Sequence, residues 1–203
     1  FFSLVPEENY GFMKAKAEEA ASLCQLIDCE WLIMVPSRKN DLTQEEVVET
    51  TARRLDLLAE IAEKYGVKLL FEFIGFPDFS VTDLSTAQRI AKMVRSHEIK
   101  LVIDTFHFFV GGTTFEDLAR ISGKDIGLVH VNDFPARPFA ELTDAMRVLP
   151  GMGNADLRAF MRALNEIGFD GLVSLELFNE DLWRLAPQEA ARQGWQSLQA
   201  LLG

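Results

Sequence analysis

Three features of the sequence predict an α/β domain in which a parallel sheet is covered by helices and closes toward a barrel. Short runs of apolar residues alternate with amphipathic helical segments, and the runs are apolar throughout, as strands buried on both faces must be. No strand is followed by GxGxxG or GxxxxGK[ST], the phosphate-binding loops that a doubly wound sheet would offer. Four consecutive runs also carry a residue of metal-ligand type at or just past the middle, and only a closed ring of strands gathers four such positions at one mouth. An eight-unit barrel takes about 250 residues. The 203 residues here therefore predict one domain, 1–203, corresponding roughly to strands 3 to 8 of a (β/α)8 TIM barrel, with the first one to two βα units missing.

The elements follow in order. Phe1 and Phe2 lead into LVP (4–6), which reads as the tail of an earlier strand before a helix over 9–28. WLIMVPS (31–37) is a strand bounded by Pro36. Thr43 and Glu46 form a capping box ahead of Val47, Val48, Thr51, Leu55, Leu58 and Ala62, spaced as one helix face until Gly66 stops it. A strand over 67–75 follows. Ser85 with Gln88 opens an amphipathic segment carrying Ala87, Ile90, Ala91 and Val94 to about His97, and the next strand covers 100–107. A short helix over 114–121 precedes a strand over 127–132. The helix over 156–167 turns Leu157, Phe160, Met161 and Leu164 inward and ends at Gly168. A strand over 172–178 and a helix begun by Pro187, carrying Ala191, Trp195, Leu198 and Leu202, complete the chain. Residues 134–153 break the rhythm, with Pro135, Pro138, Pro150, Gly151 and Gly153 and no periodicity. A connector that long is ordinarily functional or disordered.

Composition narrows the class of partner. A hydrophobic content of 48% supports one sizeable core, and the net charge of −11, from 31 acidic against 20 basic residues, disfavours a polyanionic partner. A small neutral or cationic ligand fits better than nucleic acid. Cys24 and Cys29 have no second pair to complete a zinc ribbon, nor the CxxC spacing of a redox motif, and read as reduced, semi-buried thiols. No apolar stretch approaches the roughly 18 residues that span a bilayer, and no signal pattern opens the chain, so a cytoplasmic protein is expected.

The chemistry-bearing residues are Glu72 in LLFEFIG, Asp104 in KLVIDTFHF, His130 in GLVHVND and Glu176 in GLVSLELF. One polar residue in such a run is ordinarily a hydrogen-bonded core group. Four in four successive runs, all of ligand type, point to a shared cation, because burying a carboxylate or imidazole is costly unless something pairs with it. Three carboxylates and one imidazole suit manganese, cobalt, magnesium or zinc. His107, three residues beyond Asp104, reads either as a further site residue or as a strand-end histidine. His97 beside Glu98 reads as solvated surface. Arg137, Arg147 and Asp133 lie in or at the edge of the long loop, where a position over a barrel mouth favours contact with ligand.

LLFEFIGFPDFSV, LVIDTFHFFVGG, LVHVNDFP, LTDAMRVLPGMG and VSLELFNEDLW, in this order and spacing, resemble the xylose-isomerase-like barrel superfamily of sugar isomerases and epimerases. Within it they are most similar to the inosose (2-keto-myo-inositol) isomerase branch of inositol catabolism. The resemblance implies one divalent metal on Glu72, Asp104, His130 and Glu176, with Glu72 and Glu176 also shuttling a proton. It implies substrate contacts from His107 and Arg147, and from Arg137 near where ketose epimerases carry a substrate-binding arginine. The implied reaction moves a carbonyl within a keto-polyol through an enediolate, in a protein that is often a homo-oligomer in this superfamily. A ketose 3-epimerase or other sugar epimerase is the near alternative. An apurinic-site endonuclease-like hydrolase and a non-catalytic metal- or polyol-binding barrel are the alternatives of another class. Three histidines and the negative charge make the hydrolase a poor match.

Overall fold

The structure, a computed structural model, describes residues 2–3, 10–39, 41–95 and 97–203. Its elements run β1 (Phe2–Ser3), α1 (Tyr10–Leu26), β2 (Trp31–Val35), α2 (Gln44–Glu63), β3 (Lys68–Glu72), α3 (Leu84–Met93), β4 (Ile99–Asp104), α4 (Thr105–Val110), α5 (Phe115–Leu118), β5 (Ile126–Val131), α6 (Leu157–Glu166), β6 (Leu172–Leu175), α7 (Glu180–Trp183) and α8 (Pro187–Leu202). The strands form one six-stranded sheet in sequential order, every pair parallel. A doubly wound sheet reverses its order at a switch point. Unbroken sequential order is instead the wall of a barrel, and here it comprises six of the eight strands that close one. The residues 4–6 expected as an early strand tail lie outside the described residues, as does the first residue of the helix expected over 9–28.

The principal core lies between sheet and helices, where Leu55, Leu58, Phe71, Phe73, Ile90, Leu101, Ile103, Val129 and Phe160 are buried. Local signals account for most helix ends. Thr43 caps α2 with both halves of the expected box, its Oγ1 accepting from Glu46 N at 3.3 Å while its own N–H donates to Glu46 Oε2 at 2.8 Å. Every residue expected on the inner face of α2 is buried. Gly66 at φ +71° turns the chain into β3, and Gly168 at φ +74° does the same after α6.

Several boundaries differ from expectation for identifiable reasons. Asp83, not Ser85, caps α3: its carboxylate accepts from Thr86 N at 2.9 Å and also takes the Ser85 hydroxyl at 2.6 Å. The helix stops at Met93, short of His97, because Val94 is extended. β4 ends at Asp104, not at 107, since the Asp104 carboxylate accepts from His107 N at 3.1 Å and caps α4. His107 is thus a helix residue, not a strand-end one. β2, β3 and β6 likewise end at Val35, Glu72 and Leu175, before the apolar runs do. In α8 the residues Ala191, Trp195 and Leu202 are exposed; the helix packs through Gly194, whose missing side chain admits Leu175.

The long loop is ordered by Asp133, the residue that precedes it. Asp133 N donates to Val148 O at 2.9 Å and Asp133 O accepts from Val148 N at 2.8 Å, and two 3-10 turns, Phe139–Glu141 and Asp144–Met146, lie between. The buried Asp133 carboxylate accepts four backbone N–H groups: Phe134 and Ala155 on Oδ1 at 2.8 and 2.9 Å, Gly151 and Gly153 on Oδ2, both at 3.0 Å. Replacing it with alanine strands these donors. Asp133→Ala is expected to cost about 2–4 kcal/mol in chemical denaturation and to make 134–153 the first site of proteolytic cleavage. Unchanged stability and cleavage pattern would remove Asp133 from that role.

Candidate metal centre

The sheet delivers the four candidate ligands to one end. Glu72 and Asp104 are the last residues of β3 and β4, His130 lies opposite Asp104 in β5, and Glu176 follows β6, its N–H donating to Val131 O at 3.4 Å. One ligand atom from each of the four lies within 4.8 Å of all the others. His130 Nδ1 stands 3.4 Å from Glu72 Oε1 and 3.6 Å from Glu176 Oε2. Asp104, Glu72 and His130 are buried, and Glu176 is half-buried.

These residues fit a metal ion on grounds of their own. Glu72 Oε1 and His130 Nδ1 are buried without a hydrogen-bond partner among the described residues, a costly state for two groups that face each other. Donors bound at about 2.1 Å around a tetrahedral cation stand about 3.4 Å apart, which matches their separation. The protonation equilibria say the same. Burial pushes the Glu72 carboxyl up to about 7 against the pull of His130, with the charges of Asp104 and Glu176 adding to the rise. Burial also raises the Glu176 carboxyl. Burial alone would depress His130, but Glu72, Glu176 and Asp104 outweigh it and raise its pKa.

Arg147 supplies the fixed cation. It is fully buried between the rings of Phe106 and Phe178, 4.9 and 5.1 Å from their centroids. Its Nη1 donates to Asp104 Oδ2 at 2.8 Å and Glu176 Oε2 at 3.0 Å. Nη2 reaches Asp144 Oδ1 at 2.6 Å and His107 Nε2 at 3.2 Å, and Nε donates to Asp144 Oδ1 at 3.0 Å. All five guanidinium hydrogens are engaged by these acceptors. Burial opposes its charge, yet Asp104, Asp144 and Glu176 raise its pKa further. Burial lowers the pKa of His107, favouring the neutral ring. Because Arg147 donates to Nε2, that ring carries its hydrogen on Nδ1, a buried donor without a partner among the described residues.

A cavity of about 430 Å³ opens above this cluster. Glu72, Glu176, His107 and Arg147 line it together with Ile74, Phe76, Phe79, Phe178, Arg38, Asp78, Thr143 and Asp144. Of the residues singled out in the sequence, the fold does not bring Arg137 and Asp133 here: Arg137 is exposed, the Asp133 carboxylate is taken up by backbone N–H groups of the loop, and neither lines the cavity. Three polar residues that sequence reasoning did not single out complete the setting. Asn132 Nδ2 donates to Asp104 Oδ2 at 2.9 Å, Thr105 Oγ1 donates to Asn132 O at 2.8 Å, and Asp144 orients Arg147. Asn132 had a signal, since it stands two residues past His130 and so on the same side of the chain.

The raised carboxyls make stability depend on pH and metal together. Glu72 has a folded pKa of about 7, above its unfolded value, so the metal-free protein loses stability as pH rises through neutrality. His130, also raised, contributes stability at low pH that is lost as pH rises, while the lowered His107 acts oppositely on the acid side. A divalent ion needs its ligands deprotonated and offsets their repulsion. The gain in Tm on adding saturating zinc or manganese is therefore expected to be several degrees larger at pH 8 than at pH 5.5. Equal gains at both would contradict this account.

The fold and site define a class: a sequence profile of the xylose isomerase-like TIM barrel family matches residues 3–201, and the chain belongs to that family. Among its relatives, the inosose isomerase of Bacillus velezensis is 32% identical over 203 residues, covering 100% of this chain and 72% of that protein. The inosose isomerase of Bacillus subtilis is 34% identical over 191 residues, covering 94% and 69%. The crystal structure of the IOLI protein with a bound zinc atom superimposes with a TM-score of 0.92 at 30% identity, covering 99% of this chain and 74% of that one.

Proposed function

We propose that the chain is a divalent-metal-dependent isomerase that moves a carbonyl within a keto-polyol of the inosose kind. The observation that carries the reading is two glutamates, Glu72 and Glu176, meeting at one buried cation-seeking cluster on the floor of a cavity of about 430 Å³. Kinship with inosose isomerases supplies the substrate class. Residues 1–203 are read as one domain carrying roughly strands 3 to 8 of the barrel.

Glu72, Asp104, His130 and Glu176 would hold the ion, and zinc or manganese suits their mixed oxygen and nitrogen donors. When bound, it would polarise a carbonyl and its neighbouring hydroxyl, acidifying the C–H of the carbon that bears the hydroxyl. The protein's own groups then move the proton. Glu72, with a pKa pushed up to about 7, is matched to accept and return a proton near neutral pH. Glu176 stands just past the end of β6, with β4 and β5 between that strand and Glu72's, so the two approach the cavity from different sides. His107 offers its Nδ1 hydrogen to a substrate oxygen, and Arg147 holds Asp104 and Glu176 in place. Phe76, Phe79 and Phe178 supply apolar walls against the C–H faces of a ring. Return of the proton to the adjacent carbon gives isomerisation; return to the opposite face of the same carbon gives epimerisation.

A partner of this size and polarity accords with the acidic chain, whose net charge of −11 disfavours nucleic acid. No described helix is long and apolar enough to cross a membrane. The test is a panel of inososes and ketohexoses assayed with manganese, zinc, cobalt and magnesium in turn. Carbonyl migration in an inosose is the expected outcome. Turnover confined to ketohexoses with inversion at one carbon would make the protein an epimerase, and no turnover at full metal loading would reject catalysis altogether.

A further inference from the structure

Away from the metal centre, the end of α1 brings the two cysteines together by backbone geometry. Cys29 N donates to Cys24 O at 2.8 Å and Asp28 N to Gln25 O at 3.3 Å, with Asp28 at φ +54°. This is the pair of reversed hydrogen bonds of a Schellman helix stop, with the left-handed residue at Asp28. In that motif the side chains three residues before the cap and two after it lie against each other, a contact ordinarily made by two apolar residues. Here both positions are cysteines. Both thiols are free and half-buried, and both point to one acceptor, Trp31 O, Cys29 at 3.3 Å and Cys24 at 4.0 Å. Burial raises the pKa of the Cys24 thiol and the neighbouring Cys29 raises it further, as expected of two sulfurs in close approach.

From this geometry we infer that Cys24 and Cys29 are a reversible dithiol site, closed to an intramolecular disulfide by a peroxide. The sequence spacing alone lacks the CxxC pattern; the turn supplies the proximity. In the first step one sulfur, as thiolate, attacks a peroxide oxygen, breaking the O–O bond and forming a sulfenic acid. In the second, the other thiolate attacks that sulfur and expels hydroxide. Two thiols and one hydrogen peroxide thus give one disulfide and two waters, the sulfurs being oxidised and the peroxide reduced. The link ties the last turn of α1 to the lead into β2. Because both thiols lie outside the cavity and the metal cluster, the inference is independent of the proposed function.

Peptide mapping tests it directly, since trypsin cutting at Lys16 and Arg38 releases 17–38 with both cysteines on one peptide. The full chain is treated with a small excess of hydrogen peroxide, alkylated under denaturing conditions and digested. The expected peptide is lighter than the reduced one by two hydrogens and carries no alkyl group; dithiothreitol before alkylation restores two alkyl groups. Cys24→Ser and Cys29→Ser should each abolish that mass loss, leaving one alkylated or oxygenated sulfur. The inference is overturned if the wild-type peptide keeps both thiols, gains oxygen on single sulfurs or links only between two chains.

Discussion

Glu176→Gln protein, compared with the unaltered protein at equal metal occupancy, is expected to turn over about 10²–10⁴-fold more slowly. The amide keeps the shape of the side chain and one oxygen donor, but it can neither accept nor return a proton. Glu72→Gln should be affected at least as severely, because Glu72 combines deeper burial with a pKa pushed up to about 7. Metal content has to be measured on each variant, for both residues belong to the four-donor cluster. A loss of rate no greater than the loss of metal would make the glutamates ligands only. Retention of full metal by two or more of Glu72→Gln, Asp104→Asn, His130→Ala and Glu176→Gln would refute a shared site.

Arg147→Ala is expected to be the most destabilising single change near the site. It removes the cation that holds Asp104, Asp144 and Glu176, leaving above all the fully buried Asp104 carboxylate without its partner. Breaking a buried pair in this way costs about 3–5 kcal/mol, which for a chain of this size lowers Tm by roughly 10 °C. A second cation relieves part of that repulsion, so added zinc or manganese should recover more stability in Arg147→Ala than it adds to the unaltered protein. Arg147→Lys should not restore the site, since one ammonium cannot reach the acceptors that the guanidinium spans. A metal-free Arg147→Ala protein as stable as the original would show that the cluster does not depend on this cation.

The candidate cluster was legible in the sequence because burial makes it conspicuous: Glu72, Asp104, His130 and Glu176 each interrupt or end an apolar run, and the fold brings one donor atom of each within 4.8 Å of the others. The strand limits were less legible, because an apolar run continues past the last paired residue. Asp104 shows why: its carboxylate ends β4 by capping α4, a dual use that hydrophobicity does not reveal. The competition between Asp83 and Ser85 for one helix start was likewise decided by a carboxylate that accepts both the backbone N–H and the Ser85 hydroxyl. The two loop arginines were distinguishable only by long-range pairing. The Asp133–Val148 bridge and the turn Asp144–Met146 carry Arg147 inward, whereas Arg137 remains exposed ahead of both turns. Thr105 has a polar side chain common at strand ends, and its role emerges only from its bond to Asn132, which in turn donates to Asp104.

Proton transfer next to a carbonyl is the central claim, and running the reaction in deuterated water tests it most directly. With metal-loaded protein and an inosose, solvent deuterium should appear at the carbon next to the carbonyl in the product, and also in recovered substrate. A base as buried as Glu72 can return some of the original proton, so incorporation below one deuterium per turnover still agrees with the account. Turnover with no deuterium in either species, together with a carbon-bound label passing intact to the neighbouring carbon on every cycle, would contradict it and establish a hydride shift instead.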